Sequence, residues 1–405
     1  MRPEQRAAEL DAADRLAPLR ARFVEAPGVV AYLDGNSLGR PLAAAAQRLA
    51  EFVHEDWARG LIRGWTDGPD PWTAWPERVG DRIGTVALGA APGQVVVADS
   101  TTVLLYKLAR AAVDARPDRR EILLDVHDFP TDRYVAEGIA RERDRELRWL
   151  EPDPAAGVTV EQVAAAVGHD TALVLLSHVA YRSGWIADAQ AITALAHDAG
   201  ALVAWDLSHS AGSVPVALDA WGADLAVGCT YKYLCGGPGS PAFGYVRRDL
   251  QATLRQPVQG WMGRLDPFGM APGYVPAAGP RGMVSGTPPI LATVPLLAGL
   301  DLLAEAGIGA VRAKSVALTS FAIELADALL PGVTVGSPRD PDRRGGHVLL
   351  RHPEAKALVE ELWRHGVLPD FREPDGIRVG LAPLSTSFTE VHRGLAVLAD
   401  LLAAR

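Results

Sequence analysis

The sequence predicts an α/β protein built on a mostly parallel sheet of about seven strands, joined to a smaller α+β domain. Short β-branched runs alternate with helix-like segments from about residue 95 onward. Several of these runs are almost continuously apolar, which is typical of strands buried on both faces. At 405 residues, the chain is also long enough for two or three domains.

The strands of the large sheet are predicted from seven apolar runs, at residues 95–99, 121–125, 147–150, 172–176, 201–205, 225–229 and 242–246. The segments between them have helical periodicity. One example is residues 188–199, which Gly200 closes as a C-cap. Alternation of this kind favours βαβ units and a parallel sheet, in which ligands collect at the carboxyl ends of the strands.

The smaller domain is predicted from the C-terminal part of the chain. A Gly- and Pro-rich stretch at 260–289 is interpreted as loops near the site, and a long helical region comes next at 290–330. Short strands (333–335, 347–350 and 377–379) and two more helices complete the chain. We expect a large domain over residues 46–310 and a small one formed by 1–45 together with 311–405.

Composition excludes several classes of function. A net charge of −9 without a dense basic cluster argues against nucleic acid as a partner. No stretch approaches the roughly 20 apolar residues that span a bilayer, and the N-terminus lacks an apolar signal core. The cysteines, Cys229 and Cys235, do not form a disulfide framework. We therefore expect a cytoplasmic protein that binds neither membrane nor nucleic acid.

The candidate chemistry begins with lysine, which is rare in this chain. Of Lys107, Lys232, Lys314 and Lys356, only Lys232 follows a predicted strand end, and the other three are expected at the surface. Asp206 ends the preceding strand. A lysine that holds the aldehyde and an aspartate that pairs with the pyridine nitrogen are what pyridoxal 5′-phosphate (PLP) requires. The sequence therefore predicts PLP as the cofactor, and no metal.

Other residues suit the same cofactor, although each has a structural alternative. Thr101 and Thr102 open a predicted helix, where a phosphate or a plain N-cap is equally expected. Phe129 follows a strand and either stacks on the pyridine ring or packs in the core. His209 packs on the cofactor, orients Asp206 or is a structural residue with its hydrogen bonds satisfied. Tyr231 reaches the phosphate or acts as a proton donor. None of these residues alone is specific for PLP, and their order along the chain is a stronger indication than any one of them.

These segments resemble the kynureninase family of fold-type I PLP enzymes. The resemblance extends from about residue 30 to 390, almost the whole chain. Its motifs are Asp206-Leu-Ser-His209, the run from Cys229 to Gly239, Tyr32 to Pro41, Leu61 to Trp65, Val97 to Thr102, Asp128-Phe-Pro-Thr-Asp132, Gln259-Gly-Trp261, Ser285 to Ile290 and Ile377 to Leu384.

The resemblance implies a homodimer with shared active sites that hydrolyses L-kynurenine to anthranilate and L-alanine. Lys232 would hold PLP and later move the Cα proton, with Tyr231 as proton donor. Asp132 would join Thr101, Thr102, Phe129, Asp206, His209 and Tyr231 around the cofactor. Trp261 and Thr287 would reach the phosphate from the partner subunit. Arg378 would bind the substrate carboxylate, with Ser37 and Trp65 near the substrate. A tryptophan at position 65 resembles that of bacterial members, which prefer kynurenine over its 3-hydroxy form.

Three alternative functions are considered from the residues, and the residues argue against the second and the third. A related fold-type I lyase would act on a substituted kynurenine or another amino acid. A catalytically inert PLP-binding sensor is expected to lack Arg378 or Lys232, and neither is missing. A dinucleotide-binding enzyme needs a Gly-x-Gly-x-x-Gly turn after its first strand, where this chain has Asp-Ser-Thr-Thr. The sequence leaves the reactivity of Cys235 undecided.

Overall fold

A computed structural model describes residues 2–405 of the chain. Its strands, in chain order, are β1 Ala31–Tyr32, β2 Val95–Ala98, β3 Glu121–Asp125, β4 Glu146–Leu150, β5 Thr171–Ser177, β6 Leu202–Asp206, β7 Leu225–Gly228, β8 Ala242–Val246, β9 Thr334–Val335, β10 His347–Arg351, β11 Val367–Leu368, β12 Asp370–Arg372 and β13 Gly376–Gly380. Each predicted run matches a strand to within one or two residues, whereas the short strands β1, β11 and β12 were not predicted.

The helices alternate with these strands through the first two thirds of the chain. They are α1 Pro3–Ala13, α2 Ala43–Glu51, α3 Ala58–Gly60, α4 Trp75–Ile83, α5 Thr101–Asp114, α6 Pro130–Arg143, α7 Val160–Ala166, α8 Ala189–Asp198, α9 Leu218–Trp221, α10 Ile290–Ala306, α11 Ile308–Leu329, α12 Ala355–Arg364 and α13 Phe388–Ala403. The predicted cap is present, since Gly200 follows α8 with φ +78°.

The large sheet has seven strands in the order β2-β8-β7-β6-β5-β3-β4. All its pairings are parallel except those of β8, which runs antiparallel to β2 and β7. The prediction of a mostly parallel seven-stranded sheet is confirmed. Both faces are covered, because neighbouring residues on one strand belong to different cores: Val203 and Trp205 to one, Leu202 and Ala204 to the other.

A second, antiparallel sheet has the order β12-β13-β10-β9 and packs with α11, α12 and α13 around a third core. N-terminal residues join this core, including Ala7, Ala31 and Leu33. We propose that they belong to the same small domain, as the sequence predicts. The exact boundaries stay a prediction, because α2 and α11 each run across one of them.

Among the described residues, no single helix is long and apolar enough to cross a membrane; only α10 and α11 together, bent by 86°, meet that test of length and composition. Lys314 of α11 corrects one expectation. It is buried, and its Nζ lies 2.8 Å from the Asp14 carboxylate. The prediction of a surface position was wrong because a buried carboxylate far away in sequence supplies the partner.

Candidate active site

A cavity of about 160 Å³ opens at the carboxyl ends of β2, β6 and β7. Parallel strands bring their carboxyl ends to one edge of the sheet, which is why loops distant in sequence meet here. The cavity is lined by Ser100, Thr101, Thr102, Phe129, Thr131, Asp206, Ser208, His209, Tyr231 and Lys232. Most of the residues predicted to hold PLP therefore share one cavity.

One wall is the N-terminus of α5. The Ser100 hydroxyl accepts a hydrogen bond from the Val103 amide as the N-cap, and Thr101 and Thr102 form the first turn. The remaining free amides of this turn and the helix dipole favour an anion. The residues present thus suit the phosphate of PLP.

The turn before α5 depends on a lysine that was expected at the surface. Asp99 adopts a left-handed backbone with φ +49°, and its carboxylate pairs with Lys107. Lys107 is completely buried, and its Nζ also donates to the Met283 carbonyl oxygen, 3.0 Å away. The prediction that Lys107 lies at the surface was wrong, because the Asp99 carboxylate and the Met283 carbonyl oxygen satisfy its buried amine.

Lys232 follows β7 in a loop and is buried against the cavity. Its Nζ lies 3.0 Å from His209 Nε2 and 5.9 Å from the ring centroids of both Phe129 and Tyr231. No carboxylate lies within ion-pair distance of Nζ in the described chain. The amine therefore faces a ring-lined cavity in which a ligand aldehyde can reach it.

Asp206 ends β6 and is also buried. Its Oδ1 accepts a hydrogen bond of 2.6 Å from the Ser208 amide. Burial raises the pKa of Asp206, although the Ser208 hydrogen bond and the Lys232 charge act in the opposite direction. A buried carboxylate of this kind is stabilised by a cation. A protonated pyridine nitrogen is such a cation, so this residue also fits PLP.

Two further carboxylates lie behind the cavity in the turn that begins α6. Asp128 accepts hydrogen bonds from the Ser177 hydroxyl at 2.6 Å and from the Ser177 amide at 3.1 Å. Asp132 is buried, and neither of its oxygens has a partner in the described chain. Its pKa is raised well above the ordinary value by burial and by the charges of Asp206 and Asp128. Unpaired buried carboxylate oxygens indicate that Asp132 faces a polar ligand.

Arg378 is buried on β13, in a cluster outside the cavity lining. Its Nε and Nη2 donate to the two oxygens of Asp370 at 3.0 and 2.6 Å. Its Nη1 donates to the Tyr181 carbonyl oxygen at 2.7 Å, and Nη2 donates to the Ser37 hydroxyl at 2.5 Å. The predicted pair of Arg378 and Ser37 is thus in direct contact.

The carboxylates of this cluster were not singled out from the sequence. Besides Asp370, Asp34 lies 3.8 Å from Arg378 Nη2. The pKa of Asp34 is raised to about 7 by burial and by the charge of Asp370, while Arg378 lowers it. A buried arginine is often paired with a carboxylate, but the sequence holds 49 acidic residues and does not indicate which of them pairs with Arg378.

Three predicted residues lie elsewhere in this single chain. Trp65 and Thr287 line a separate apolar groove of about 560 Å³, in which Trp65 packs edge-on against Trp72 with centroids 5.2 Å apart. Trp261 is exposed and packs against Phe268, with centroids 5.7 Å apart. Within one subunit, therefore, neither Trp261 nor Thr287 lines the cavity that contains Lys232.

Cys235 is buried immediately after the Lys232 loop and has a left-handed backbone with φ +55°. Its thiol donates to the Tyr233 carbonyl oxygen at 3.7 Å. Burial raises the pKa of Cys235 to about 12, so the thiol stays protonated at neutral pH. An inert structural thiol agrees with this environment.

Comparisons with solved structures agree with the fold. The cysteine desulfurase of Thermococcus onnurineus NA1 matches with a TM-score of 0.83 and 19% identity, over 96% of this chain and 98% of that one. The enzyme C-DES matches with a TM-score of 0.80 and 18% identity, over 94% and 99%; in that structure glycine is covalently linked to the PLP cofactor. The chain therefore has the fold of the fold-type I PLP enzymes.

Sequence relatives are much closer. The kynureninase of Pseudomonas fluorescens is 44% identical over 97% of this chain and 94% of its own length. The kynureninase of Burkholderia pseudomallei strain K96243 is 40% identical over 99% and 96%. The family model of the kynureninase C-terminal domain matches residues 311–398. Together with the cavity around Lys232 and Asp206, these matches show that the chain belongs to the kynureninase family of PLP-dependent enzymes.

Proposed function

We propose that this chain catalyses the hydrolysis of L-kynurenine to anthranilate and L-alanine. In this reaction the Cβ–Cγ bond breaks, the hydroxyl of water completes the carboxylate of anthranilate, and a proton completes the methyl group of alanine. The observation that carries the proposal is the near-full-length identity of 40–44% to kynureninases in a chain that retains Lys232, Asp206 and Arg378. The structural neighbours support only the fold.

The residues that would hold PLP are those of the cavity. Lys232 is the amine for its aldehyde, Asp206 is the carboxylate for its ring nitrogen, and the first turn of α5 supplies amides for its phosphate. Phe129 supplies an aromatic face on the same cavity. When bound, PLP supplies an electron-accepting ring that makes the substrate Cα–H and Cβ–Cγ bonds breakable.

Two groups are placed to hold and move protons. The Lys232 amine borders the cavity and, once free, can accept the Cα proton of the substrate. The Tyr231 ring centroid lies 5.9 Å from Lys232 Nζ, and burial raises the pKa of the Tyr231 hydroxyl. A phenol that keeps its proton at neutral pH can donate it to Cβ. We therefore assign Lys232 as base and Tyr231 as acid.

We assign the substrate α-carboxylate to Arg378. A planar guanidinium binds a carboxylate through two parallel hydrogen bonds, and Asp370 occupies that geometry in this structure. The substrate carboxylate would share Arg378 with Asp370 and accept a hydrogen bond from the Ser37 hydroxyl, whose oxygen lies 2.5 Å from Arg378 Nη2. Asp370 would keep the guanidinium oriented between substrate molecules.

We infer a homodimer in which Trp261 and Thr287 reach the partner's cofactor site. Neither residue lines the Lys232 cavity of its own subunit, and both residues are exposed. The apolar groove beside Thr287 is lined by Leu61 and Ile62, whose side chains are 59% and 78% exposed. Apolar surface of this kind is typical of an interface between subunits.

Replacing Ile62 with aspartate is expected to convert the dimer into monomers, because a charge would be buried in the apolar groove. Light scattering after gel filtration measures the mass, and activity should fall together with it. Val24→Asp is the matched control, since Val24 is 44% exposed and does not line the groove. A dimer that survives Ile62→Asp with full activity would contradict the assignment of this surface.

The proposed activity is tested with purified, PLP-loaded protein and L-kynurenine. Anthranilate is followed by fluorescence and alanine by chromatography, and equal amounts of both are expected. Lys232→Ala should abolish both products, whereas Lys356→Ala, at an exposed lysine, should not. Visible absorbance of the lysine-bound cofactor without anthranilate would overturn L-kynurenine as the substrate and leave the cofactor site intact.

A further inference from the structure

The Asp370 carboxylate pairs with two arginines, Arg378 and Arg372, which lie on neighbouring strands. Asp370 and Arg372 are two residues apart on β12, so their side chains leave the same face of the strand. Arg378 lies directly opposite Asp370 in the antiparallel pairing of β12 with β13. The alternation of β12 and its register with β13 therefore bring one carboxylate within reach of both guanidinium groups.

The two arginines bind Asp370 unequally. Arg378 holds both oxygens, with Nε donating to Oδ1 at 3.0 Å and Nη2 donating to Oδ2 at 2.6 Å. Arg372 donates to Oδ2 through Nη2 alone. Its Nε is buried and has no hydrogen-bond partner in the part of the chain that the structure describes. Arg372 therefore has a buried donor that the second oxygen of Asp370 would satisfy.

Two carboxylates compete for Arg378 when substrate binds. The substrate carboxylate needs Nε and Nη2, the donors that now hold Asp370. Asp34 adds a further acidic group 3.8 Å from Nη2. Like charges around one buried guanidinium repel each other, so substrate binding favours the departure of Asp370. Arg378 itself stays in place, because Nη1 donates to the Tyr181 carbonyl oxygen at 2.7 Å.

We propose that Arg372 is a positioning residue that takes over the Asp370 carboxylate when the substrate α-carboxylate binds Arg378. Oδ1 of Asp370 moves from Arg378 Nε to Arg372 Nε, and Oδ2 keeps its bond to Arg372 Nη2. The inference rests on the proposed assignment of the substrate α-carboxylate to Arg378. The site has room for this shift, because the Arg372 side chain is 29% exposed and β12 is the outer strand of its sheet.

The exchange makes Arg372 important for the carboxylate of a ligand and not for its amine. L-Alanine, the amino-acid product of the proposed reaction, carries both groups. L-Alaninamide keeps the amine and lacks the negative charge. Without Arg372, Asp370 stays on Arg378 and competes with L-alanine, whereas the binding of L-alaninamide does not depend on that competition.

The proposal is tested with Arg372→Leu in the PLP-loaded protein, in which the visible absorbance of the cofactor follows the binding of each amine. The dissociation constant of L-alanine should rise about 5- to 30-fold, between the worth of an exposed ion pair and that of a charged hydrogen bond. The dissociation constant of L-alaninamide should not change. With L-kynurenine, the loss should be in KM rather than kcat. Arg372→Lys retains the charge and should recover part of the affinity for L-alanine.

Asp370→Asn in the Arg372→Leu background distinguishes exchange from direct binding. Asparagine keeps the shape of Asp370 but carries no charge to compete for Arg378, so the affinity for L-alanine should return close to that of the wild type. If Arg372 itself binds the substrate carboxylate, the double variant stays as weak as Arg372→Leu, and the proposal is overturned. Equal weakening of L-alanine and L-alaninamide binding also overturns it, because that is the effect of a general disturbance of the site.

Arg351→Leu is the matched control, since it removes an arginine from an ion pair in the same sheet at a position that is 45% exposed. Both dissociation constants should stay at their wild-type values. A wild type that binds L-alanine no better than L-alaninamide would contradict the assignment of Arg378, and with it the exchange. The binding measurement involves no turnover, so a failure to form anthranilate would overturn the proposed substrate separately.

Discussion

Replacing Arg378 with glutamine is expected to lower kcat/KM for L-kynurenine by roughly 100- to 4,000-fold, since truncating one partner of a buried charge pair costs about 3–5 kcal/mol. Glutamine cannot form the two parallel hydrogen bonds that Arg378 makes to a carboxylate. It also leaves Asp370 without its bidentate partner. Steady-state kinetics measure the loss, most of which should be in KM if the carboxylate contact is equally strong in substrate and transition state.

Arg351→Gln is the matched control for this variant. Arg351 lies on the neighbouring strand β10 and pairs with Asp375 at 2.9 Å, but its side chain is 45% exposed. An exposed pair contributes about 0–1 kcal/mol, so kcat/KM should stay within a few-fold of the wild type. The cofactor absorbance should survive in both variants, because Arg378 does not line the Lys232 cavity. An Arg378→Gln enzyme with wild-type kinetics would move the carboxylate site elsewhere.

The large sheet was predictable because its physical signal is local. Strands buried on both faces are apolar at successive positions, and the structure assigns alternate residues of β6 to two different cores. The direction of β8, by contrast, could not be predicted from its sequence. Its sequence is as apolar as that of β7, and only the sheet topology shows that it runs antiparallel.

The errors share one physical cause, which is pairing between residues far apart in sequence. Lys107 and Lys314 were expected at the surface because an isolated lysine is rarely buried. Each is buried because a carboxylate meets it, Asp99 across one helical segment and Asp14 from the other end of the chain. Neither partner can be recognised from composition or periodicity.

The candidate site divides in the same way. The residues that line the Lys232 cavity follow strand ends, so the α/β pattern alone predicts that they meet. Asp370 lies on a short strand of the second sheet, whose position against the first is a tertiary property. Trp261 and Thr287 do not line the Lys232 cavity of their own subunit, and they are assigned to the cofactor through the proposed partner subunit.

Asp206→Asn should have the largest effect on kcat of any variant that retains Lys232. The amide keeps the shape of the carboxylate and can still accept the Ser208 hydrogen bond, but it cannot pair with a protonated pyridine nitrogen. Loss of a buried ion pair costs about 3–5 kcal/mol, so kcat should fall by roughly 10³-fold. The cofactor should still bind to Lys232 and absorb visible light.

The stability of the Asp206→Asn apo-protein is an independent measurement, because the substitution that lowers kcat is expected not to lower stability. The folded-state pKa of Asp206 is raised above its unfolded value, so at pH 7 the charged carboxylate destabilises the apo-protein. Asp206→Asn should therefore leave the apo-protein equally or more stable, while PLP raises its melting temperature less than it raises that of the wild type.

Asp219→Asn is the control for the Asp206 variant, because it removes the same charge from an exposed carboxylate that accepts hydrogen bonds from Gln94 and Tyr245. Its kcat and the rise in its melting temperature on binding PLP should match those of the wild type. If Asp206→Asn keeps kcat within about tenfold and gains the full stabilisation by PLP, Asp206 is not the partner of the ring nitrogen. Asp132, whose two oxygens are unpaired behind the same cavity in the described chain, would then be the carboxylate to replace next.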